Sequence, residues 1–170
     1  KIDVANMLTG ATPVANGGSG RTVATGNVLQ VVEATNNTGA TSTSTSYADT
    51  GLTANITPSS ASNKILVLVN VTVSCNYGQE QSIQSDLAGF KIVRASTDIF
   101  NPIADKRIGV YVGSGDPISN HVIPMSKLDT PSSTSAVTYK VQYASRNSGK
   151  SIRFNGYSGT STIQLMEISA

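Results

Sequence analysis

The chain contains 170 residues, of which 13% are charged, and its formal net charge is +2. A nucleic-acid-binding surface needs a dense row of Lys and Arg, so this composition argues against such a partner. Cys75 is the only cysteine, so neither an intrachain disulfide nor a cysteine-based metal site can form. No apolar run is as long as the roughly 20 residues that a membrane span requires. We therefore expect a fold that depends on packing alone, without membrane insertion.

Residues 1–25 form a polar leader that glycines interrupt repeatedly. Its apolar side chains are too few to build a core of their own, so a lone copy would stay disordered. Several copies wrapped together would bury Ile2, Val4 and Leu8 against one another. We expect an extended neck at 1–25 and one head domain at 26–170. Because the sequence begins at Lys1, we expect a fragment or a processed chain.

The clearest strand signal in the head is Lys64–Ser74, where apolar residues occupy every second position. Neighbouring side chains on a strand face opposite ways, so one face is predicted to carry Ile65, Val67, Val69, Val71 and Val73. The opposite face begins with leucines and becomes polar. The strand should therefore be buried on both faces at its start and half exposed at its end.

Similar alternation recurs along the head, and the Thr-rich and Ser-rich stretch Thr38–Thr50 is predicted to be an edge strand. Turn-forming residues separate these segments. Asn155-Gly156 suits a two-residue hairpin, and Asn147-Ser148-Gly149 suits a slightly longer one. Helical periodicity is absent, so we expect about eight or nine strands in an all-β antiparallel sandwich or jelly roll. The other predicted strands are Asn27–Ala34, 52–56, Leu87–Arg94, 108–112, Val122–Met125, 137–143 and Thr160–Ser169, with Ile163 and Leu165 facing away from Met166 and Ile168.

Residue types that carry out catalysis or bind metals are present but not arranged in a motif. Cys75 and His121 are each unique, and nothing in the sequence brings them together or supplies a group to orient the imidazole. The aspartates form neither a glycosidase acid pair nor a calcium-loop pattern. Gly17–Thr22 lacks the spacing of a phosphate-binding loop. We expect no catalytic residue, no metal and no cofactor.

Polar side chains beside an aromatic ring suit a sugar, because the ring stacks on the apolar face while the polar groups bond the hydroxyls. The best such group follows the strongest strand and contains Asn76, Tyr77, Gln79 and Gln81. The alternative is that Tyr77 and Tyr157 only cap the core. The remaining ligand-binding candidates are Arg107, Tyr111, Asp116, Arg153 and Tyr157.

Two parts of the sequence resemble bacteriophage tail fibres. The segment Thr12–Gly20 resembles the LPVANGGTG neck that recurs ahead of distal fibre domains, with Thr12 in place of Leu and Ser19 in place of Thr. The head is similar to small fibre tips along most of its length, but the stretch Cys75–Tyr139 carries little of the resemblance. The segments that carry it are Gly26–Val32, Tyr47–Pro58, Ser62–Val67 and Ser161–Ile168.

The resemblance implies a homotrimer with its β heads on a common axis, attached to the rest of a tail fibre on a virion. Such a head acts outside the host bacterium and binds a surface glycan or an outer-membrane protein without catalysis. The variable middle would then hold the receptor-binding loops. Two alternatives stay open: a purely structural knob that trimerises without contacting a receptor, and, less favoured, a polysaccharide-degrading enzyme.

Overall fold

The computed structural model describes residues 25–76, 88–106, 118–149 and 151–170. These residues form antiparallel strands and no helix, in two stacked sheets, which confirms the predicted all-β sandwich. The predicted neck, apart from Thr25, and the predicted strand at 108–112 lie outside the described residues. The strands are β1 (Val28–Asn36), β2 (Ala40–Ser42), β3 (Ala48–Ile56), β4 (Lys64–Asn76), β5 (Ala88–Arg94), β6 (Thr97–Phe100), β7 (Ile118–Asp129), β8 (Val137–Ser145), β9 (Ile152–Phe154) and β10 (Ser161–Ile168).

Strand β4 is the centre of the first sheet. On one edge it pairs with β7 along its whole length, from Ile65 opposite Asp129 to Asn76 opposite Ile118. On the other edge β10 pairs with its first half and β9 with its last residues. Strands β1 and β2 continue outward from β10 and β9. The sheet is therefore four strands wide. Two of the four positions are each filled by two shorter strands that lie end to end: β10 with β9, and β1 with β2.

Asn155 lies at the gap between these end-to-end strands. Its buried side chain donates to the Asn36 carbonyl oxygen at 2.7 Å and accepts from Ser161 Oγ at 2.5 Å. Its backbone N–H donates to the Thr72 carbonyl oxygen at 2.9 Å. Its φ of 50° is one that Asn tolerates better than most residues. The predicted hairpin at Asn155-Gly156 is wrong, because β9 and β10 lie end to end along β4 instead of pairing with each other.

The second sheet has the order β3-β8-β5-β6. The predicted hairpin at Asn147-Ser148-Gly149 is also wrong, since this turn leads from β8 in the second sheet to β9 in the first. The predicted edge strand at Thr38–Thr50 is confirmed only in part. Ala40–Ser42 lies at the edge of the first sheet, and β3 begins at Ala48 on the edge of the second. Strands β6 and β9 were not predicted.

The core lies between the two sheets and includes the predicted face of β4, from Ile65 to Val73, which is fully buried. Ile163 and Leu165 face the core, while Met166 and Ile168 are only partly buried, as predicted. The predicted exposure at the end of β4 is wrong at Ser74, which is completely buried. The reason is the segment 155–160, which folds over the outer face of β4 and covers Ser74.

Two buried carboxylates close one end of the core, on either side of Ile65. Glu167 of β10 and Asp129 of β7 both pair with this residue in the sheet register. Gly26 enters the fold at the same end, where its N–H donates to the Ser169 carbonyl oxygen at 2.7 Å. We call this end proximal, because the chain enters here, and the opposite end distal.

Glu167 is fully buried and accepts a complete set of hydrogen bonds. Ser59 donates through its backbone N–H at 2.7 Å and its hydroxyl at 2.8 Å, and Asn63 and Gln30 each donate at 2.6 Å. Burial alone would raise the pKa of Glu167, but these hydrogen bonds to the charged form outweigh it and lower the pKa from 4.5 to about 2. Glu167 thus ties the 57–63 connection and β1 to β10.

Asp129 joins the two sheets. One Arg94 nitrogen donates to both of its carboxylate oxygens, at 2.8 and 3.0 Å. The Tyr139 hydroxyl also donates to the carboxylate, at 2.7 Å. Burial, with the neighbouring Asp129 charge, raises the pKa of Tyr139 far above its ordinary value, so this hydroxyl stays a donor. Because Arg94 and Tyr139 belong to the second sheet, the network fixes the spacing of the sandwich at its proximal end.

We predict that Glu167→Gln lowers the free energy of unfolding at pH 7 by about 2 kcal/mol or more, since hydrogen bonds to a charged acceptor are lost. The folded-state pKa is depressed, so the stabilisation is full above pH 4.5 and disappears as the pH falls towards 2. Urea unfolding from pH 7 downward should show the difference between wild type and variant shrinking across this range. The control is Glu33→Gln, which changes an exposed carboxylate on β1. A pH-independent difference would contradict the assignment.

Candidate functional site

The described residues that flank the segments with most of the ligand-binding candidates lie at the distal end. Strand β4 is 13 residues long, and at about 3.3 Å per residue it separates the two ends by about 40 Å. Asn76 and Ala88 flank the segment 77–87, and Lys106 and Ile118 flank the segment 107–117; Ile118 pairs with Asn76. Candidates Tyr77, Gln79, Gln81, Arg107, Tyr111 and Asp116, and the side chain of Asn76, lie outside the described residues.

Arg153 and Tyr157 are the two candidates that the structure describes in full, and it brings them together. Arg153 lies on β9 opposite Ser74, and its guanidinium carbon is 5.5 Å from the centre of the Tyr157 ring. This distance is within the range of a cation–π contact. The Tyr157 side chain is 50% exposed on the outer surface of the first sheet. The alternative that Tyr157 caps the core is therefore wrong.

Two glycines allow the segment 155–160 to lie directly against β4, and this close approach positions Tyr157. A Cβ at Gly156 would lie 2.5 Å from Ser74 Oγ, and one at Gly159 would lie 2.5 Å from Thr72 Cγ2. Between these glycines, Tyr157 and Ser158 adopt φ values of 52° and 62°, which turn the backbone outward. The Gly159 N–H closes the turn on the Gly156 carbonyl oxygen at 3.1 Å.

Arg153 and Tyr157 together present a flat aromatic ring beside a planar cation. The exposed part of the ring offers a stacking surface, and the guanidinium offers a planar set of hydrogen-bond donors. Thr41 of β2 pairs with Arg153 on the other side, so hydroxyl-rich residues border the pair. The arrangement can hold a sugar ring or a peptide side chain, and it contains no nucleophile with an adjacent base.

A second aromatic group near the distal end was missed by the sequence analysis. The Tyr47 ring is contacted by two ammonium groups, Lys91 Nζ at 4.6 Å and Lys106 Nζ at 5.2 Å from its centre. Lys91 also pairs with Asp98 at 2.7 Å, and Lys106 donates to the Thr45 carbonyl oxygen. Burial raises the pKa of the Tyr47 phenol, and the charge of Asp98 adds to this effect.

Tyr47 anchors the segment before β3. Its hydroxyl and the Lys106 side chain lie over Gly89, where an added Cβ would approach both within 2.5 Å. Since both lysines already bond to the protein, the ring is held in place and is less open to a ligand than Tyr157. The one sign of this group in the sequence is a lone aromatic residue in a hydroxyl-rich stretch, directly before a predicted strand. Its lysine partners are distant in sequence, so their contacts with the ring could not be predicted.

Other chemical functions find little support in the described part of the chain. It holds no group of three or more His, Cys, Asp or Glu side chains that could bind a metal ion. Cys75 and His121 lie on neighbouring strands at diagonal positions, because Cys75 pairs with Ser119 and His121 with Val73. Among the described residues, no helix is long and apolar enough to span a membrane.

No known protein family matches the chain, and no curated protein sequence is significantly similar to it. The chain is distantly similar to three solved structures from infectious bursal disease virus: T=1 particles derived from the virus, a VP2 subviral particle and the Gx strain. Their TM-scores are 0.44, 0.45 and 0.42, at 13%, 13% and 15% identity. Each comparison covers 83% of this chain and 36–37% of the virus chain. This chain therefore spans little more than a third of those proteins, and scores this low support no conclusion about function.

We predict that Gly156→Ala destabilises the head by about 1–3 kcal/mol, because the added methyl group would overlap the Ser74 side chain. The methyl group must push the 155–160 segment away from β4, which separates Tyr157 from Arg153. Thermal unfolding measures the first effect, and tyrosine fluorescence or near-ultraviolet circular dichroism follows the second.

The control is Ser158→Ala, which changes an exposed side chain on the same segment and should shift stability by less than about 0.5 kcal/mol. Equal stability of the Gly156 and Ser158 variants would show that the segment is not pressed against β4.

Proposed function

We propose that this chain is the distal head of a bacteriophage tail fibre, which binds a glycan or an outer-membrane protein on the surface of a host bacterium. The observation that best supports this proposal is the polarity of the fold. The chain enters at the proximal end, beside Ser169, whereas segments 77–87 and 107–117 meet the described fold at the distal end. A head mounted on a fibre needs this separation between its attachment and its binding surface.

The proposed mechanism is multivalent capture without catalysis. Three copies on one axis, attached through residues 1–25 to the rest of the fibre, would each present one weak site. Tethering raises the effective concentration of the second and third sites, so the combined affinity exceeds that of a single site by orders of magnitude, roughly 10²–10⁴. The rigid double sheet keeps the sites at a fixed distance from the virion. Arg153 and Tyr157 are the described residues we assign to this surface, together with the candidates on segments 77–87 and 107–117.

We predict that Tyr157→Ala and Arg153→Ala each weaken binding of the head to susceptible bacteria by about tenfold, as expected for anchor residues of an interface. Tyr77→Ala, on the segment after Asn76, should act in the same direction. The measurement is retention of cells by heads immobilised on beads, where the bead supplies the multivalency. Neither change removes a core side chain, so the thermal unfolding midpoint should change little.

Lys64→Ala provides the matched control, because it removes an exposed cation at the proximal end of β4. Full binding by every distal variant would exclude this surface. Absence of binding by the wild-type head to any susceptible cell would favour a structural knob. Release of reducing ends from host polysaccharide would instead favour a degrading enzyme.

A further inference from the structure

The outer face of the first sheet carries an apolar row near its proximal end, which is exposed on the two outer strands and partly buried on the two strands between them. The row crosses four adjacent strands in register: Val31 of β1 pairs with Met166, Met166 with Leu66, and Leu66 with Leu128. We call these four residues the apolar row. Val31 is 57% exposed and Leu128 is 49% exposed. Side chains next to the row extend it, namely Val28, Leu29, Leu68 and Ile168.

The two outer faces of the sandwich differ sharply in chemistry. On the second sheet, Asp49 pairs with Lys140 at 2.9 Å and accepts from Gln142 at 2.7 Å, and Lys91 pairs with Asp98. Such a surface is well solvated. On the outer face of the first sheet, the apolar row is flanked by only two charged side chains among the described residues, Glu33 and Lys64. A contiguous apolar patch that crosses a whole sheet is uncommon on a monomer and marks an interaction surface.

The position of the row shows which partner it fits. Residues 1–24 precede the described chain, which begins at Thr25, three residues before Val28 at the border of the row. Copies of this chain that are joined through residues 1–24 would therefore bring their rows close to one another. Lys64 and Glu33, on the two sides of the row, carry one charge of each sign, so a second copy meets no excess of like charge.

We propose that the apolar row is the surface on which a second copy of this chain packs, which rests on the proposed function as a multimeric fibre head. When three rows face a common three-fold axis, each row is covered by the other two copies, which removes apolar side chains from water on every copy. The row and the Arg153–Tyr157 pair are separated along β4 by the distance from Leu66 to Ser74, about 26 Å at the strand repeat. Packing at the row therefore leaves the distal pair accessible.

The test is the solution mass of the full chain by light scattering after size exclusion, for wild type, Val31→Lys and Val122→Lys. Val122 is the matched control, because it is a valine of similar exposure, 60% against 57%, on the same sheet face but towards the distal end. Wild type and Val122→Lys are expected at three chains of 17.6 kDa each. Val31→Lys should require at least about tenfold higher concentration to associate, since a lysine would be buried without a partner.

Three results would overturn the inference. An unchanged mass for Val31→Lys would show that copies associate through another surface. A reduced mass for both lysine variants would show that the effect is one of added charge rather than of position. A monomeric wild type would mean that the row is covered otherwise, for example by residues 1–24 of the same chain. The bead assay remains independent of all three, because it does not need self-association, so receptor binding can survive the loss of this inference.

Discussion

The length and two-sided pairing of β4 are the constraint on which the rest of the head depends. One uninterrupted strand of 13 residues pairs with β7 along one edge and with two shorter strands end to end along the other. Because every inward side chain from Ile65 to Val73 is apolar, β4 also supplies the central line of the core. The two ends of this strand define the proximal and distal ends of the head and keep them about 40 Å apart.

Buried polar groups then determine how the two ends differ. At the proximal end, Glu167 accepts hydrogen bonds that fix the 57–63 connection to β10. Asp129 accepts hydrogen bonds from the second sheet and so joins the two sheets. Near the distal end, the Asn155 side chain bonds to the end of β1 and the start of β10. The segment 155–160 that begins there crosses the outer face of the sheet and presents Tyr157. Each of these groups would be costly to leave unpaired. The proximal end is therefore held together by buried polar groups, while Asn155 near the distal end positions the exposed Tyr157.

Local alternation was sufficient to predict β4, β5 and β10, because the period of two is a property of neighbouring residues. It failed at β6, whose apolar residues Ile99 and Phe100 are adjacent. Turn-residue chemistry was misleading at Asn155. The Asn-Gly pair favours a hairpin, but the buried Asn155 side chain bonds to Asn36, 119 residues away. Residue type alone indicated Arg153 and Tyr157 as ligand candidates. Their stacking depends on the 155–160 turn, and the apolar row depends on register between four strands, so neither was visible in the sequence.

The central claim is that the chain attaches at one end and contacts the cell at the other. Amide hydrogen exchange of the head, free and bound to envelopes of a susceptible bacterium, tests it most directly. We expect slower exchange on binding at residues 41–46 and 151–160, with little change at 57–63 and 130–136. Slower exchange confined to the proximal residues, with the distal residues unchanged, would contradict the account.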